Sequence, residues 1–446
     1  MTNKTSLKNR LIKGIGANAY GQAITVLIQL VSVPLFIHYW GIAVYGEWLI
    51  LSALPAYLSM SDFGLGAVAG NSMVIKMAQN DRVGAISIYH SVTCFNACVS
   101  LLILLMILAL LFVFGLPNYL GVHMLLSMDV KLTLLLLSLQ VLVGLQISVL
   151  SAGYRSLERY AEVTVLNSTS RLIQWAMGMA MLISGGGVVY VAAGMLAGWV
   201  LGYCITYFRL QKLESEYHFS ITKGSWQIMK ELLRSGLTFL AFPLGLALSL
   251  QGMIVVIGSV LGAVAVAQFS VLRTVVRILV QLVNVLNQAT WPEISRAYGA
   301  NNLKLAQALH INGCRFALFI GLIGVASLLS FSEFIFHLWL GSTVSLPFLT
   351  FSLLLAGALV NITSQASWVV LMATNRHQQF AVMFIFVSCI SIILAYLTMP
   401  FWGLNAAAVA ILLAELSILV LAIKEANLVL QEPVYKFMIK FIKIDM

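Results

Sequence analysis

Two arginines, Arg273 and Arg277, lie in an apolar stretch that is long enough to cross a membrane. They are four residues apart, so they share one face of a helix. A charged side chain at that depth is costly unless it faces water, a partner or a ligand. Guanidinium groups bind phosphate through paired hydrogen bonds, so the two arginines predict a polar chamber with positive walls that receives an anion.

Other polar side chains recur at intervals of three and four in the same stretch and in two earlier apolar runs. Such spacing places them on one face of each helix, which must meet water or another helix because hydrocarbon cannot satisfy them. Interhelical hydrogen bonding is the favoured interpretation for a single Asn or Gln. A water-filled cavity is favoured for the stripes that contain arginine. The predicted lining consists of Arg273, Arg277, Arg171, Gln281, Asn284, Gln288, Asn18 and Gln22.

Three acidic residues fall within the predicted spans, namely Asp62, Glu47 and Glu415. Asp62 lies between a serine and the pair Gly64 and Gly66, where a bend or close helix packing is expected. It could cap freed backbone amides, or it could carry a coupling proton or Na⁺. Glu47 and Glu415 are weaker candidates for the same coupling role, so each of the three acids is predicted to be ion-coupling or structural.

No set of residues typical of catalysis accompanies these stripes. The five cysteines contain no CxxC pair, the histidines show no metal-ligand spacing, and no glycine-rich loop with Lys-Ser/Thr is present. Neither paired carboxylates nor a Ser/His/Asp set stands out. The sequence therefore predicts a transporter and not an enzyme, with no cofactor and no metal.

The elements that must position the arginines are apolar helices. The chain has 446 residues, of which 61% are apolar and 9% charged, whereas soluble domains carry about 25% charged residues. About twelve apolar runs of roughly 20 residues recur, without the alternation of a β-barrel. The prediction is an all-α polytopic membrane protein with about 12 transmembrane helices, in two six-helix bundles around a central cavity.

A basic loop divides the predicted spans six and six. Residues 1–210 form the predicted N-terminal bundle, 211–234 a basic cytoplasmic linker, 235–425 the C-terminal bundle and 426–446 a basic amphipathic tail. A weak repeat agrees with this division. Small-residue segments beginning at Gly41 and Gly262 each open the second span of a half, which predicts a parallel internal repeat.

The basic residues alternate between loops. Lys and Arg precede the first span, follow each even-numbered span and fill the tail, whereas the intervening loops contain only Lys131. The positive-inside rule then places both termini in the cytoplasm. The net charge of +10 is therefore interpreted as a topology signal and not as a sign of nucleic-acid binding.

Short motifs in both halves resemble one known family. They include Gly41-x-x-x-Tyr45-Gly46-x-Trp48, Asp62-Phe63-Gly64-Leu65-Gly66, Arg155-Ser156-Leu157-Glu158-Arg159 and Trp291-Pro292-Glu293-Ile294-Ser295-Arg296. The chain is similar in these motifs, and in its length and six-plus-six layout, to Wzx-type O-antigen flippases, in the polysaccharide-exporter branch of the MOP superfamily.

The resemblance implies a flippase of the bacterial inner membrane that carries undecaprenyl-pyrophosphate-linked oligosaccharide repeat units through a cationic cavity. Its partners would be this substrate, the lipid bilayer and a polysaccharide polymerase complex. MurJ-like lipid II flippases remain an alternative, although they usually have fourteen spans. MATE-like ion-coupled antiporters are the other alternative, although the arginines argue against a cationic cargo. A membrane polymerase or ligase is disfavoured because the predicted outer loops are short and nearly free of Lys and Arg.

Overall fold

The computed structural model describes residues 4–58, 65–115, 121–218, 220, 224–239, 241–341, 347–374 and 376–442. Within these ranges the chain is almost entirely helical and forms no strand. The prediction of an all-α polytopic membrane protein is confirmed. The side chain of Gln288 and all of Asp62 lie outside what is described.

The described helices follow one another with short connections. They are α1 (Lys4–Leu58), α2 (Leu65–Ala78), α3 (Arg82–Phe112), α4 (Ser127–Ser156), α5 (Tyr160–Ile183), α6 (Val188–Leu213), α7 (Trp226–Phe239), α8 (Ala241–Ala247), α9 (Met253–Leu261), α10 (Ala263–Gly299), α11 (Leu303–Ser330), α12 (Ser332–Leu340), α13 (Phe348–Ala373), α14 (Gln378–Trp402), α15 (Leu404–Val429) and α16 (Val434–Ile442). A π-helical segment, Leu248–Gly252, joins α8 to α9. The chain divides into two compact units, Met1–Leu240 and Ala241–Met446.

Ten described stretches are long and apolar enough to cross a membrane. The first, Gly16–Leu58, has 43 residues, about 65 Å of helix at 1.5 Å per residue and twice the ~30 Å hydrocarbon core. It bends at Gly41, so it supplies two spans. Helix α5 is less apolar than these stretches because polar residues such as Asn167 and Arg171 interrupt it, yet its 24 residues are long enough to cross. With the first stretch counted as two spans and α5 added, the described residues supply twelve spans, the number that was predicted.

The same turns occur in both units at one constant offset. Gly41 (φ 74°, ψ 169°) and Gly262 (φ 83°, ψ 177°) adopt a conformation that is essentially restricted to glycine. Asn80 and Asn301 both have positive φ, at 60° and 57°. The next residue caps the following helix in each unit, as Asp81 accepts from the Gly84 amide and Asn302 from the Leu305 amide. Each unit-2 position lies 221 residues after its counterpart, so the predicted repeat is present in the backbone.

The cap at Asp81 is strengthened by a neighbouring cation. Lys76 Nζ lies 2.8 Å from Asp81 Oδ2, and the Gly84 amide lies 2.8 Å from Oδ1. These two hydrogen bonds, that of Lys76 foremost, lower the pKa of the Asp81 carboxyl. The carboxylate therefore stays ionised at the start of α3, where the helix dipole favours a negative charge.

Helix α5 is placed by close packing against α6. A Cβ on Gly198 would lie 2.6 Å from Gln174 Cα, and one on Gly202 would lie 2.4 Å from the Ser170 side chain. Only glycine allows the two backbones to approach so closely, as is common between helices in membranes. This packing fixes the rotation of α5 and directs Arg171 away from α6 towards α1.

Candidate functional site

In unit 1 the polar residues of α1 meet those of α5 along a seam. Arg171 Nη1 donates to Thr25 Oγ1 at 3.0 Å, and Tyr160 Oη donates to Asn18 Oδ1 at 3.3 Å. The later residue of α1, Thr25, contacts the later residue of α5, Arg171, so the two helices run parallel. Gln22 is half-buried one turn after Asn18. Asn18 and Thr25 of α1 thus contact Tyr160 and Arg171 of α5, and Gln22 lies between Asn18 and Thr25 along α1.

The charge of Arg171 is not neutralised within this seam. Its side chain is exposed, and its recorded partner is the hydroxyl of Thr25, which itself donates to the Gly21 carbonyl. Across the described ranges, no carboxylate pairs with Arg171. A hydroxyl orients the guanidinium but leaves its charge and most of its donors available to an anion.

In unit 2, Arg273 is tied to the π-helical segment. Its Nη1 donates to the Leu250 carbonyl at 2.8 Å, and its guanidinium lies 5.5 Å from the centre of the buried Phe269 ring. A π-helical turn disturbs the regular backbone ladder and often marks a functional site. Arg273 thus fastens α10 to this irregular turn, a contact that the sequence pattern did not reveal.

Arg277, one turn further along α10, is exposed. Among the residues that the structure describes, none forms an ion pair or a hydrogen bond with it. It lies about 21 Å along the helix from Ala263, well inside the span. An arginine at this depth that faced hydrocarbon would be strongly unfavourable, so its side chain must face water or a ligand.

The rest of the α10 stripe is less exposed. Gln281 and Asn284 are half-buried, and Gln281 has contacts of its own. Because α10 is helical throughout, Gln281 and Asn284 lie on the same face as Arg277. The stripe can therefore offer a cation at one end and amide groups along its length.

Glu47 is buried, with 2% of its surface exposed. Its Oε1 accepts from the amides of His123 and Met124, both at 2.7 Å, and its Oε2 accepts from the Leu125 amide at 3.1 Å. These amides precede α4 and would otherwise lack partners. Three donors on one carboxylate make Glu47 an anchor for this turn, which favours the structural interpretation.

Replacing Glu47 with alanine should destabilise unit 1 by about 3 kcal/mol, because three backbone amides would lose a charged acceptor and Glu47 itself is buried. The measurement is the melting temperature of the purified protein in detergent, which should fall by several degrees. Glu333→Ala, which removes an exposed acid of α12, is the control. An unchanged melting temperature in Glu47→Ala would refute the anchoring role.

Glu415 lies near the middle of α15 and is half-buried. Its Oε2 accepts from Asn361 Nδ2 at 3.0 Å, and Asn361 Oδ1 accepts from Gln365 Nε2 at 2.7 Å. Within the described ranges no cation pairs with this carboxylate. The sequence alone did not connect Glu415 to Asn361, because the two residues lie 54 positions apart on different helices.

The remaining donor atoms do not suggest a resident metal. In the described part of the chain, no group of three or more His, Cys, Asp or Glu side chains converges. Unit 1 offers instead an arginine that contacts α1, and unit 2 offers two arginines on α10 and one acid linked to an amide pair. Such groups can bind an anion and exchange a proton or small cation.

Comparison with solved structures shows the fold. The chain is 14% identical to an inward-facing multidrug-resistance MATE-family transporter of the MOP superfamily, with a TM-score of 0.71 over 96% of each chain. A MOP-superfamily transporter from Pyrococcus furiosus, described as having a binding pocket of reverse polarity, gives 14% identity and a TM-score of 0.68 over 95% of this chain and 96% of that one. A MATE transporter crystallised with MaL6 gives 14% identity and a TM-score of 0.64, covering 96% of this chain and 97% of the other. At such identity the likeness concerns the fold alone.

Comparison of the sequence gives the family. No curated protein matches the chain. The family model described as polysaccharide biosynthesis protein matches residues 11–298, which is more than half of the chain and includes Arg171, Arg273 and Arg277. This multi-pass membrane protein, with the fold of the MOP-superfamily transporters, belongs to the polysaccharide biosynthesis protein family.

Proposed function

We propose that this protein is a flippase that moves undecaprenyl-pyrophosphate-linked oligosaccharide repeat units across the bacterial inner membrane by alternating access. The repeat units would belong to an O-antigen or a related surface polysaccharide. Membership of the polysaccharide biosynthesis family and the transporter fold support this class of function. The observation that carries the choice of cargo is Arg277, an exposed arginine deep in a span with no partner among the described residues.

The pyrophosphate is the part of this cargo that the arginines would bind. Arg277 and Arg171 carry charges that no described carboxylate neutralises, and Arg273 adds a guanidinium held in place by the Leu250 carbonyl. A planar guanidinium pairs with two phosphate oxygens at once, which lysine cannot do. A cargo with two linked phosphates therefore suits this set better than a neutral or cationic compound.

The amide groups suit the sugars of the repeat unit. Gln281, Asn284 and Gln288 follow Arg277 on α10, and Asn18 and Gln22 accompany Arg171 in the α1–α5 seam. Amides donate and accept hydrogen bonds, so they can replace the water around sugar hydroxyls. We assign these five residues to the oligosaccharide and the arginines to the pyrophosphate.

Among the three acids we assign ion coupling to Glu415. Glu47 is occupied by three backbone amides, and Asp62 lies outside the described residues. Glu415 has a single amide donor from Asn361 and no described cation. An ionisable group in such a place is a functional candidate because burying an unpaired charge is costly. A proton or Na⁺ bound there would neutralise it during one part of the cycle.

Localisation and partners follow from the same proposal. The distribution of Lys and Arg supports cytoplasmic termini for a protein that we assign to the inner membrane. An inside-negative potential would assist outward movement of an anionic cargo, by about 2.3 kcal/mol per charge per 100 mV. A polysaccharide polymerase complex would receive the repeat units on the outer side.

Two alternatives share the fold. A lipid II flippase would also need cations for a pyrophosphate, so the site alone does not separate it from our proposal. A MATE-like antiporter that exports cationic compounds is disfavoured by Arg277 and Arg171, because like charges repel. The identity of the accumulated intermediate distinguishes all three.

Deleting the gene in its native host tests the proposal. We expect loss of surface polysaccharide and accumulation of lipid-linked repeat units on the inner leaflet, measured by mass spectrometry of extracted lipids and reversed by the intact gene. Accumulation of lipid II would favour the second flippase. Normal polymer with increased sensitivity to cationic drugs, in a strain without a redundant flippase, would favour the antiporter.

A further inference from the structure

The C-terminal helix α16 is strongly amphipathic. Its positions 436 and 440 are lysines that share a narrow polar face, and the other positions are apolar or aromatic. Phe437 is buried against unit 2, whereas Tyr435, Ile439 and Ile442 remain 53% or more exposed. An apolar arc left open beside a pair of lysines is typical of a helix that lies in the membrane interface.

The helix is held firmly in place on unit 2. The Phe437 ring stacks on buried His310 with 4.9 Å between ring centroids. Arg315 of α11 donates to the carbonyls of Lys440 and Phe441 in the last described turn of α16. Lys440 Nζ in turn lies 2.6 Å from the nearly buried Glu432. These contacts hold α16 against α11 and beside the end of α15. If both termini are cytoplasmic, as we propose, this is the cytoplasmic side of unit 2.

An apolar cavity of about 250 Å³ lies between α16 and the spanning helices. Leu318, Leu359 and Leu419 line it from α11, α13 and α15, and Phe437 and Phe441 close it from α16. It is larger than the engineered apolar cavities of ~150 Å³ that stay dry and bind benzene. The cavity extends from the amphipathic helix to residues of three spanning helices, and its apolar lining suits a hydrocarbon chain.

The charge at this end of unit 2 is positive. Arg315, Lys436 and Lys440 lie on or beside α16, and Glu432 is the acid that pairs with one of them. Lys436 is exposed, and none of the described residues is paired with it. We propose that the cavity beneath α16 binds an acyl chain of an anionic phospholipid from the surrounding bilayer, whose headgroup phosphate rests against these basic residues. The site is distinct from Arg277 and does not depend on the cargo.

Native mass spectrometry of the delipidated full-length protein tests this site, with phosphatidylglycerol and phosphatidylcholine of identical acyl chains as probes. We expect phosphatidylglycerol to bind at least tenfold more tightly. Thr363→Phe and Leu318→Phe fill the cavity from two different helices and should each lower that affinity at least tenfold. Lys436→Gln should weaken phosphatidylglycerol while leaving phosphatidylcholine unchanged.

Two matched controls accompany these variants. Leu322→Phe adds the same ring to the exposed side of α11, and Lys304→Gln removes an exposed lysine at the start of that helix; neither should alter binding. Melting curves identify a variant that fails to fold. If one of the two cavity-filling variants does not fold, the lipid affinity of the other tests the proposal. Equal binding of the two phospholipids, unchanged binding in a folded filling variant, or binding of undecaprenyl phosphate alone would overturn the proposal.

Discussion

Replacing Arg277 with alanine should lower export of surface polysaccharide about 30- to 150-fold while the protein remains at normal abundance in the membrane. The physical reason is the loss of a charged, paired hydrogen bond to phosphate, worth about 2–3 kcal/mol. Because Arg277 is exposed and has no described partner, its removal leaves no buried group unsatisfied. Surface polymer and inner-leaflet intermediates are measured in a complemented deletion strain.

Two further variants make this result specific. Arg277→Lys keeps the positive charge but loses the planar pair of donors that binds two phosphate oxygens. Its export should therefore lie between that of Arg277→Ala and that of the unmodified protein. Arg376→Ala removes an exposed arginine from the turn before α14 and should export normally. Full activity of Arg277→Ala at normal abundance would remove the main support for an anionic cargo at this position.

Replacing Glu415 with glutamine should reduce gradient-driven transport at least tenfold and make the residual transport independent of the gradient. The amide side chain retains an oxygen for the Asn361 donor, so the hydrogen-bonded link to α13 can persist. It cannot release a proton or bind a cation as a carboxylate does. The measurement is movement of lipid-linked oligosaccharide in proteoliposomes, with and without imposed proton and Na⁺ gradients.

The matched control for this variant is Glu333→Gln, which changes an exposed acid of α12. It should respond to the gradient as the unmodified protein does. A Glu415→Gln protein that is folded and responds fully to a gradient would show that coupling lies elsewhere, with Asp62 then the next residue to test. A Glu415→Gln protein that fails to fold would show that the acid is structural.

The spans could be predicted because membrane insertion depends on local composition. Continuous apolar runs gave the helices, and α1 needed only Gly41 to show where it bends. The spacing of four residues between Arg273 and Arg277 likewise predicted that they share one helix face. These features depend on neighbouring residues in the chain, which a single sequence displays directly.

The partners of the charged residues could not be predicted, because they come from distant parts of the chain. Glu47 binds amides near residue 124, and Glu415 is reached by Asn361. The contact of Arg273 with Leu250 depends on a π-helical turn that no residue pattern specifies. Thus two residues with the same predicted role, Glu47 and Glu415, differ in what surrounds them.

The constant offset between the two units has a consequence for the history of the chain. Duplication of a six-span ancestor explains why Gly41 and Gly262 share one backbone conformation. At the same offset, the counterparts of Arg273 and Arg277 in unit 1 are Ser52 and Ala56. The two units therefore share their turns but not these charges, so one backbone architecture accommodates different polar groups within its spans.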